Sequence, residues 1–180
     1  MKELSLNILD IAKNSTDAGA GEICISIVTD EKGWLTLSVS DNGCGMDENA
    51  LKSAADPFYT TRKTRSMGMG LPLLRLAAEQ TGGSLTIMSS TKENDHGTTV
   101  VATFDTSHID FPPLGDVVSS MCVLISGHPD IDFIFLDKTP TRCVSLDTRD
   151  VRKELGRISL SEYEVIVWIR KYLYSQYEKN

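Results

Sequence analysis

The sequence predicts an α+β fold: a two-layer sandwich in which helices cover one face of a mixed, mostly antiparallel sheet. Three observations carry this expectation. Residues 4–18 repeat apolar side chains at helical spacing. Two pairs of short segments, 22–28 with 34–40 and 84–90 with 97–104, alternate apolar and polar residues as strands do. A second helical stretch, 68–81, lies between the two pairs. Grouped helices and hairpins of this kind pack as layers around one core.

The elements follow in order. Leu4, Ile8, Ile11, Ser15 and Ala18 share one helical face, widened by Leu6, Leu9 and Ala12. Asp10, Asn14 and Asp17 are neighbours on another face, at spacings of four and three. Gly19 and Gly21 end the helix. Ile23, Ile25 and Ile27 form one side of a strand, and a turn over 29–33 leads to its hairpin partner, Trp34 to Ser40. Asp47 can N-cap a short helix through Ala55. The second helix buries Leu71, Leu74, Ala77 and Ala78, tolerates Pro72 in its first turn, and stops at Gly82-Gly83. Leu85 and Ile87 mark the next strand, and Gly97 to Phe104 returns antiparallel to it.

The stretch from Asp41 to Gly70 organises the chain. It opens with Asp41-Asn42-Gly43-Cys44-Gly45-Met46, runs through Asp56-Pro57-Phe58-Tyr59-Thr60-Thr61, and closes with Gly68-Met69-Gly70-Leu71. Asp41 sits where a strand gives way to a loop, a position that can aim a carboxylate at a ligand, and glycines let backbone approach closely. The glycines at 68 and 70 open a helix whose first N–H groups lack partners and suit a triphosphate. Residues 56–67 bear Arg62, Lys63 and Arg65 but few large apolar side chains, so little would fix them to a core. Cys44 reads as a small buried filler.

These boxes resemble the ATP-binding core of the GHKL superfamily, which includes histidine kinases, mismatch-repair ATPases, type II topoisomerases and ninety-kilodalton heat-shock chaperones. The upstream run Asn14-Ser15-Thr16-Asp17-Ala18-Gly19-Ala20 resembles that family's N box. The likeness covers about residues 1–105, and it is closest to the histidine kinase-like ATPase (Bergerat) domain. What the resemblance implies is specific. ATP and Mg²⁺ are the expected ligands, with Asn14 as the metal ligand and Asp10 as the catalytic carboxylate that polarises an attacking water or hydroxyl. Asp41 would accept a hydrogen bond from the adenine amine, and so select adenine over guanine. Gly43 and Gly45 would leave room for the purine, and Met46 would pack on its ring. Lys63 and the Gly68-Met69-Gly70-Leu71 box would meet phosphate under a lid over residues 56–67, and the Thr98 hydroxyl would support the adenine side.

After Asp105 no family is apparent. Residues 106–115, with Pro112-Pro113, read as a linker, and 116–180 as a small C-terminal α/β appendage. Helix 117–125, strands 131–136 and 143–146, a helix capped by Asp147, and a last helix begun by a Ser161-x-x-Glu164 capping box are expected. Its role has two readings. It packs on the first domain, or it offers a partner or homodimer surface through Trp168, Tyr172, Tyr174 and Tyr177.

Composition limits the function. With a formal net charge of −7 and a pI near 4.9, global charge argues against nucleic-acid binding. No apolar run spans a bilayer, no signal-peptide pattern opens the chain, and four scattered cysteines fit a reducing cytoplasm. The expectation is an Mg-ATP-binding, kinase-type enzyme or ATPase acting on a separate protein. The alternative is an ATP-gated binding module with little hydrolysis. The three histidines, His96, His108 and His128, lie in loop-like contexts, so self-phosphorylation in the manner of a complete sensor kinase is not expected.

Overall fold

A computed structural model describes residues 3–54 and 70–179. The chain runs α1 (Leu4–Asp17), β1 (Glu22–Thr29), β2 (Trp34–Asp41), α2 (Glu48–Ala54), α3 (Gly70–Gln80), β3 (Ser84–Lys92), β4 (Asp95–Asp105), α4 (Val117–Gly127), β5 (Asp132–Lys138), β6 (Cys143–Asp147), α5 (Thr148–Leu155) and α6 (Tyr163–Glu178). The strands form one six-stranded sheet in the order β3-β4-β2-β1-β5-β6. All pairs are antiparallel except β1 with β5.

The segment after residue 115 therefore continues the sheet. Residues 23–28 of β1 pair with 133–138 of β5, and β6 closes that edge. A single cross-strand row, Ile87–Val100–Val39–Ile25–Phe135–Leu146, crosses all six strands on one face. Its members after Ile87 are buried, and the buried side chains of both halves belong to one core. The alternate positions on β1 and β2, such as Ser26, Thr36, Ser38 and Ser40, are only half-buried, which is the two-layer pattern expected from period-2 alternation. Helix α1 packs on β1 and β2, α3 on β3 and β4, α4 against α1 and α6, α5 on β5, and α6 on β6.

The stretch 106–115 is tied down by its own backbone. The carbonyls of Pro113 and Leu114 accept from the N–H groups of Leu4 and Ser5, at 2.9 and 2.8 Å. They satisfy two of the donors that open α1, which has no side-chain cap. Phe111 packs edge-on against Phe104, with ring centroids 6.1 Å apart.

Two local expectations need correction. The Ser161–Glu164 capping box does not form: α6 takes Glu162 as N-cap, without a side-chain bond. The Ser161 N–H and hydroxyl instead engage the Ser159 hydroxyl, at 3.2 and 2.8 Å, so the turn uses the groups a cap would need. Cys44 is exposed, not a buried filler. The other anticipated caps do form: Asp47 accepts from Ala50 N–H at 2.8 Å and Asp147 from Arg149 N–H at 2.9 Å.

The end of α6 is fastened by a polar cluster. The buried Asp137 carboxylate accepts from the Tyr177 hydroxyl at 2.7 Å and pairs with Arg142 at 3.3 Å. The Arg142 guanidinium lies 4.8 Å from the Tyr177 ring centroid. Burial, and then Asp137, raise the Tyr177 pKa, so its proton stays in the hydrogen bond.

Candidate functional site

The site begins with the end of α1. Gly19 takes φ +72, its N–H reaches Thr16 O, and the Ala20 N–H reaches Ser15 O. These paired bonds close a Schellman turn, which needs a left-handed residue and so favours glycine. The turn presents Ala18 to the loop after β2, where the Cys44 N–H donates to Ala18 O at 2.9 Å.

That loop is squeezed between α1 and the β3–β4 hairpin. A Cβ on Gly45, at φ +71, would collide with the Ser90 carbonyl, and one on Gly43 would stand 2.9 Å from Ala18 Cβ. Across the sheet, a Cβ on Gly97 would collide with the carbonyl of Asp41. Backbone crowding thus requires Gly45 and Gly97, and the close Ala18 favours glycine at 43, whatever ligand they meet. His96 adds a clamp, its Nδ1 2.7 Å from the Gly43 carbonyl.

The Asp41 carboxylate is held from three sides. Oδ2 accepts from the Ser15 hydroxyl at 2.6 Å. Oδ1 accepts from the N–H of Gly43 at 2.9 Å and, over a longer 3.3 Å, from that of Thr98. A carboxylate has about four acceptor directions, so a place on Oδ2 is left for a further donor. Ser89 braces the same region: its hydroxyl accepts from Met46 N–H at 2.8 Å, donates to Gly97 O at 2.9 Å and lies 2.9 Å from the Thr98 hydroxyl.

These groups border a cavity of about 340 Å³ lined by Ile11, Asn14, Ser15, Asp41, Gly45, Met46, Leu71 and Thr98, with Cys44 and Val100 among its other walls. Among the anticipated residues, Asn14, Asp41, Gly45, Met46, Leu71 and Thr98 thus share one cavity, and Gly43 adjoins it through Asp41. Asp10 is exposed and lies outside that lining. It borders α3, where a Cβ on Gly70 would be 2.9 Å from Asp10 Cβ. Lys63, Gly68 and Met69, with Phe58, Arg62, Arg65 and the expected lid, lie outside the described residues.

Sequence reasoning missed Ser15, Ser89 and His96 as site residues. Ser15 left a signal, since its hydroxyl falls among the apolar residues of its helical face and is 3% exposed. A buried polar group needs a partner, and here that partner is Asp41. Ser89 and His96 left none, because their bonds depend on hairpin register.

The Aquifex aeolicus MutL ATPase domain complexed with ADP superposes with a TM-score of 0.56 at 12% identity, covering 95% of this chain and 69% of that one. The N-terminal domain of a DNA repair protein gives 0.55 at 19%, covering 81% and 52%. Those likenesses concern the fold. In sequence, the chain is similar to sporulation kinase E of Bacillus subtilis (strain 168), 34% identical over 89 residues, 49% of this chain and 12% of that protein. It is also similar to the signal transduction histidine-protein kinase AtoS of Escherichia coli (strain K12), again 34% over 89 residues, 49% of this chain and 14% of that one. The chain spans between 12% and 16% of the length of the first curated relatives it matches. Residues 1–108 match the profile of the family described as Histidine kinase-, DNA gyrase B-, and HSP90-like ATPase, and the chain belongs to that family.

Proposed function

We propose that this chain binds Mg-ATP in the cavity beside Asp41 and uses it to act on a separate protein, as a kinase-type enzyme or ATPase. The observation that carries this reading is the Asp41 carboxylate, fixed by Ser15, Gly43 and Thr98 on the wall of a cavity shared with Asn14. A fixed acceptor suits an adenine amine and opposes the carbonyl that guanine presents there. Adenine fits the mixed wall of Ile11, Met46, Leu71 and Val100, which offers apolar surface to a ring. Calorimetry with ATP and GTP tests the reading, and equal affinities would defeat it.

Asn14 would hold Mg²⁺ through its side-chain oxygen. Among the described residues no group of three or more His, Cys, Asp or Glu is placed to hold a metal. A single protein oxygen suits Mg²⁺, which keeps several waters and takes further ligands from phosphates. The ion would neutralise phosphate charge. Asn14→Ala is therefore expected to abolish the Mg²⁺ dependence of ATP binding and leave the circular-dichroism spectrum unchanged, since Asn14 is half-buried and fills no core volume. A lost folded signal would make Asn14 structural.

Asp10 lies one helical turn before Asn14. Its carboxylate would take a hydrogen bond from a water, or from a partner's hydroxyl, and orient it for attack on the γ-phosphate. Asp is one methylene shorter than the Glu of hydrolytic relatives, so slow turnover of the isolated chain is expected. Asp10→Asn should keep ATP affinity within about twofold and lower phosphate release or transfer by about 100-fold or more. The position of Asp10 outside the cavity lining favours a second reading, an ATP-gated binding module with little hydrolysis. Turnover at the parent rate in Asp10→Asn would select that second reading. Incubation with γ-labelled ATP and candidate proteins tells transfer from hydrolysis.

A further inference from the structure

A second concavity lies at the β6 edge of the sheet and shares no lining residue with the cavity beside Asp41. Its volume is about 950 Å³, and its walls include Ile134, Leu146, Val151, Leu155, Trp168 and Tyr172. Leu155 and Trp168 are shared with an adjoining hollow that continues to Val165 and Tyr163. The two form one groove, running along α6 for roughly 14 Å at 1.5 Å per residue from Tyr163 to Tyr172. Trp168 and Tyr172 stack, with centroids 5.2 Å apart and planes at 11°, while 51% of Trp168 and 40% of Tyr172 remain exposed.

Two features say what fits. The first is charge. Around the groove Asp147 is taken by Arg149 and Asp150 by Lys153, both at 2.7 Å. Glu154, Glu162 and Glu164 also border it, and among the described residues none of the three has an ion-pair partner. Arg157 is the one further cation on the lining. The rim therefore offers more free carboxylates than cations to an occupant. The second feature is the edge of β6. The Gln176 amide donates to Ser145 O and its oxygen accepts from Ser145 N–H, each at 3.0 Å. That side chain takes the place of a neighbouring strand at Ser145, so the edge opposes addition of an extended peptide.

We propose that this groove seats a short amphipathic helix of a partner protein, apolar on one side and flanked by Lys or Arg. Its apolar residues would cover the Trp168–Tyr172 stack, and its cations would meet Glu154, Glu162 and Glu164 and lie over the indole face.

The test uses the full chain carrying Trp34→Phe, so that Trp168 is the sole tryptophan fluorophore. Three 14-residue peptides serve as probes: a Leu/Lys amphipathic helix, a Leu/Glu helix with the same apolar face, and a Lys/Ser peptide of equal positive charge. The expected result is a blue shift with the Leu/Lys peptide, and binding at least tenfold weaker for each of the other two. Trp168→Ala, followed by calorimetry, and the charge reversal Glu154→Lys/Glu164→Lys should each weaken the Leu/Lys peptide by tenfold or more. The charge-reversed positions bear no core packing, so that variant answers even if Trp168→Ala unfolds. Equal binding of the Lys/Ser peptide would mean charge alone, and equal binding of the Leu/Glu peptide would mean unselective apolar adhesion; either overturns the proposal. So do unchanged affinity in the charge-reversed variant and a sedimenting dimer that this variant dissolves, the latter making the groove a contact between copies of this chain.

Discussion

Asp41→Asn is expected to weaken ATP binding by about 100-fold while leaving the fold intact. Oδ1 faces the two backbone donors of Gly43 and Thr98, so an amide nitrogen there would set donor against donor. The amide must therefore place its oxygen at Oδ1 and its NH2 at Oδ2. At Oδ2 the Ser15 hydroxyl can turn and accept, because a hydroxyl both donates and accepts. Folding then loses little. The adenine amine does not recover, since it would meet a donor where it had a charged acceptor. A hydrogen bond to a charged group contributes about 1.5–3 kcal/mol, and an opposed donor pair adds to that loss. The same inversion should narrow the ATP-to-GTP preference, because NH2 can donate to a guanine carbonyl. Competition binding with both nucleotides checks both halves. A variant that binds ATP as tightly as the parent would remove Asp41 from base recognition.

The second large effect is expected from Gly97→Ala. The new methyl would be driven into the Asp41 carbonyl, which is backbone and cannot swing aside, and Gly97 sits at φ +138, where L side chains are strained. Together these should cost about 2–4 kcal/mol, a fall in Tm of roughly 10 °C for a chain of this size. Any relaxation moves Asp41, so ATP affinity should fall along with stability. Thermal denaturation with and without nucleotide reads both changes. An unshifted Tm would show that the β4 backbone has room to move.

Much of this architecture was legible because it is local. Alternation at Ile23, Ile25 and Ile27 names a strand and its buried face without any knowledge of its neighbours. The glycine boxes were legible for a related reason: their spacing is compressed into one stretch, and the cavity gathers Asn14, Asp41, Met46, Leu71 and Thr98 from it and from two flanking segments. The place of the C-terminal residues was not legible. The pattern in Phe133 and Phe135 shows that a strand exists, but parallel pairing with β1 leaves no mark in sequence spacing. Ser161 failed for the opposite reason. Its motif is local and correct in form, yet a neighbouring hydroxyl two residues earlier competed for the same groups.

The parallel pairing of β1 with β5 also shapes how the chain is born. During synthesis the partner of β1 emerges about 110 residues after it, as the register Glu22 with Asp132 records. Until then one edge of β1 has no strand beside it, and Ile23, Ile25 and Ile27 lack Phe133 and Phe135 as neighbours. Sequence-distant pairing of this kind slows folding, because the loop entropy is spent before the contacts form. Until β5 arrives, that open edge and the apolar face of β1 are the kind of surface that promotes misassociation during folding.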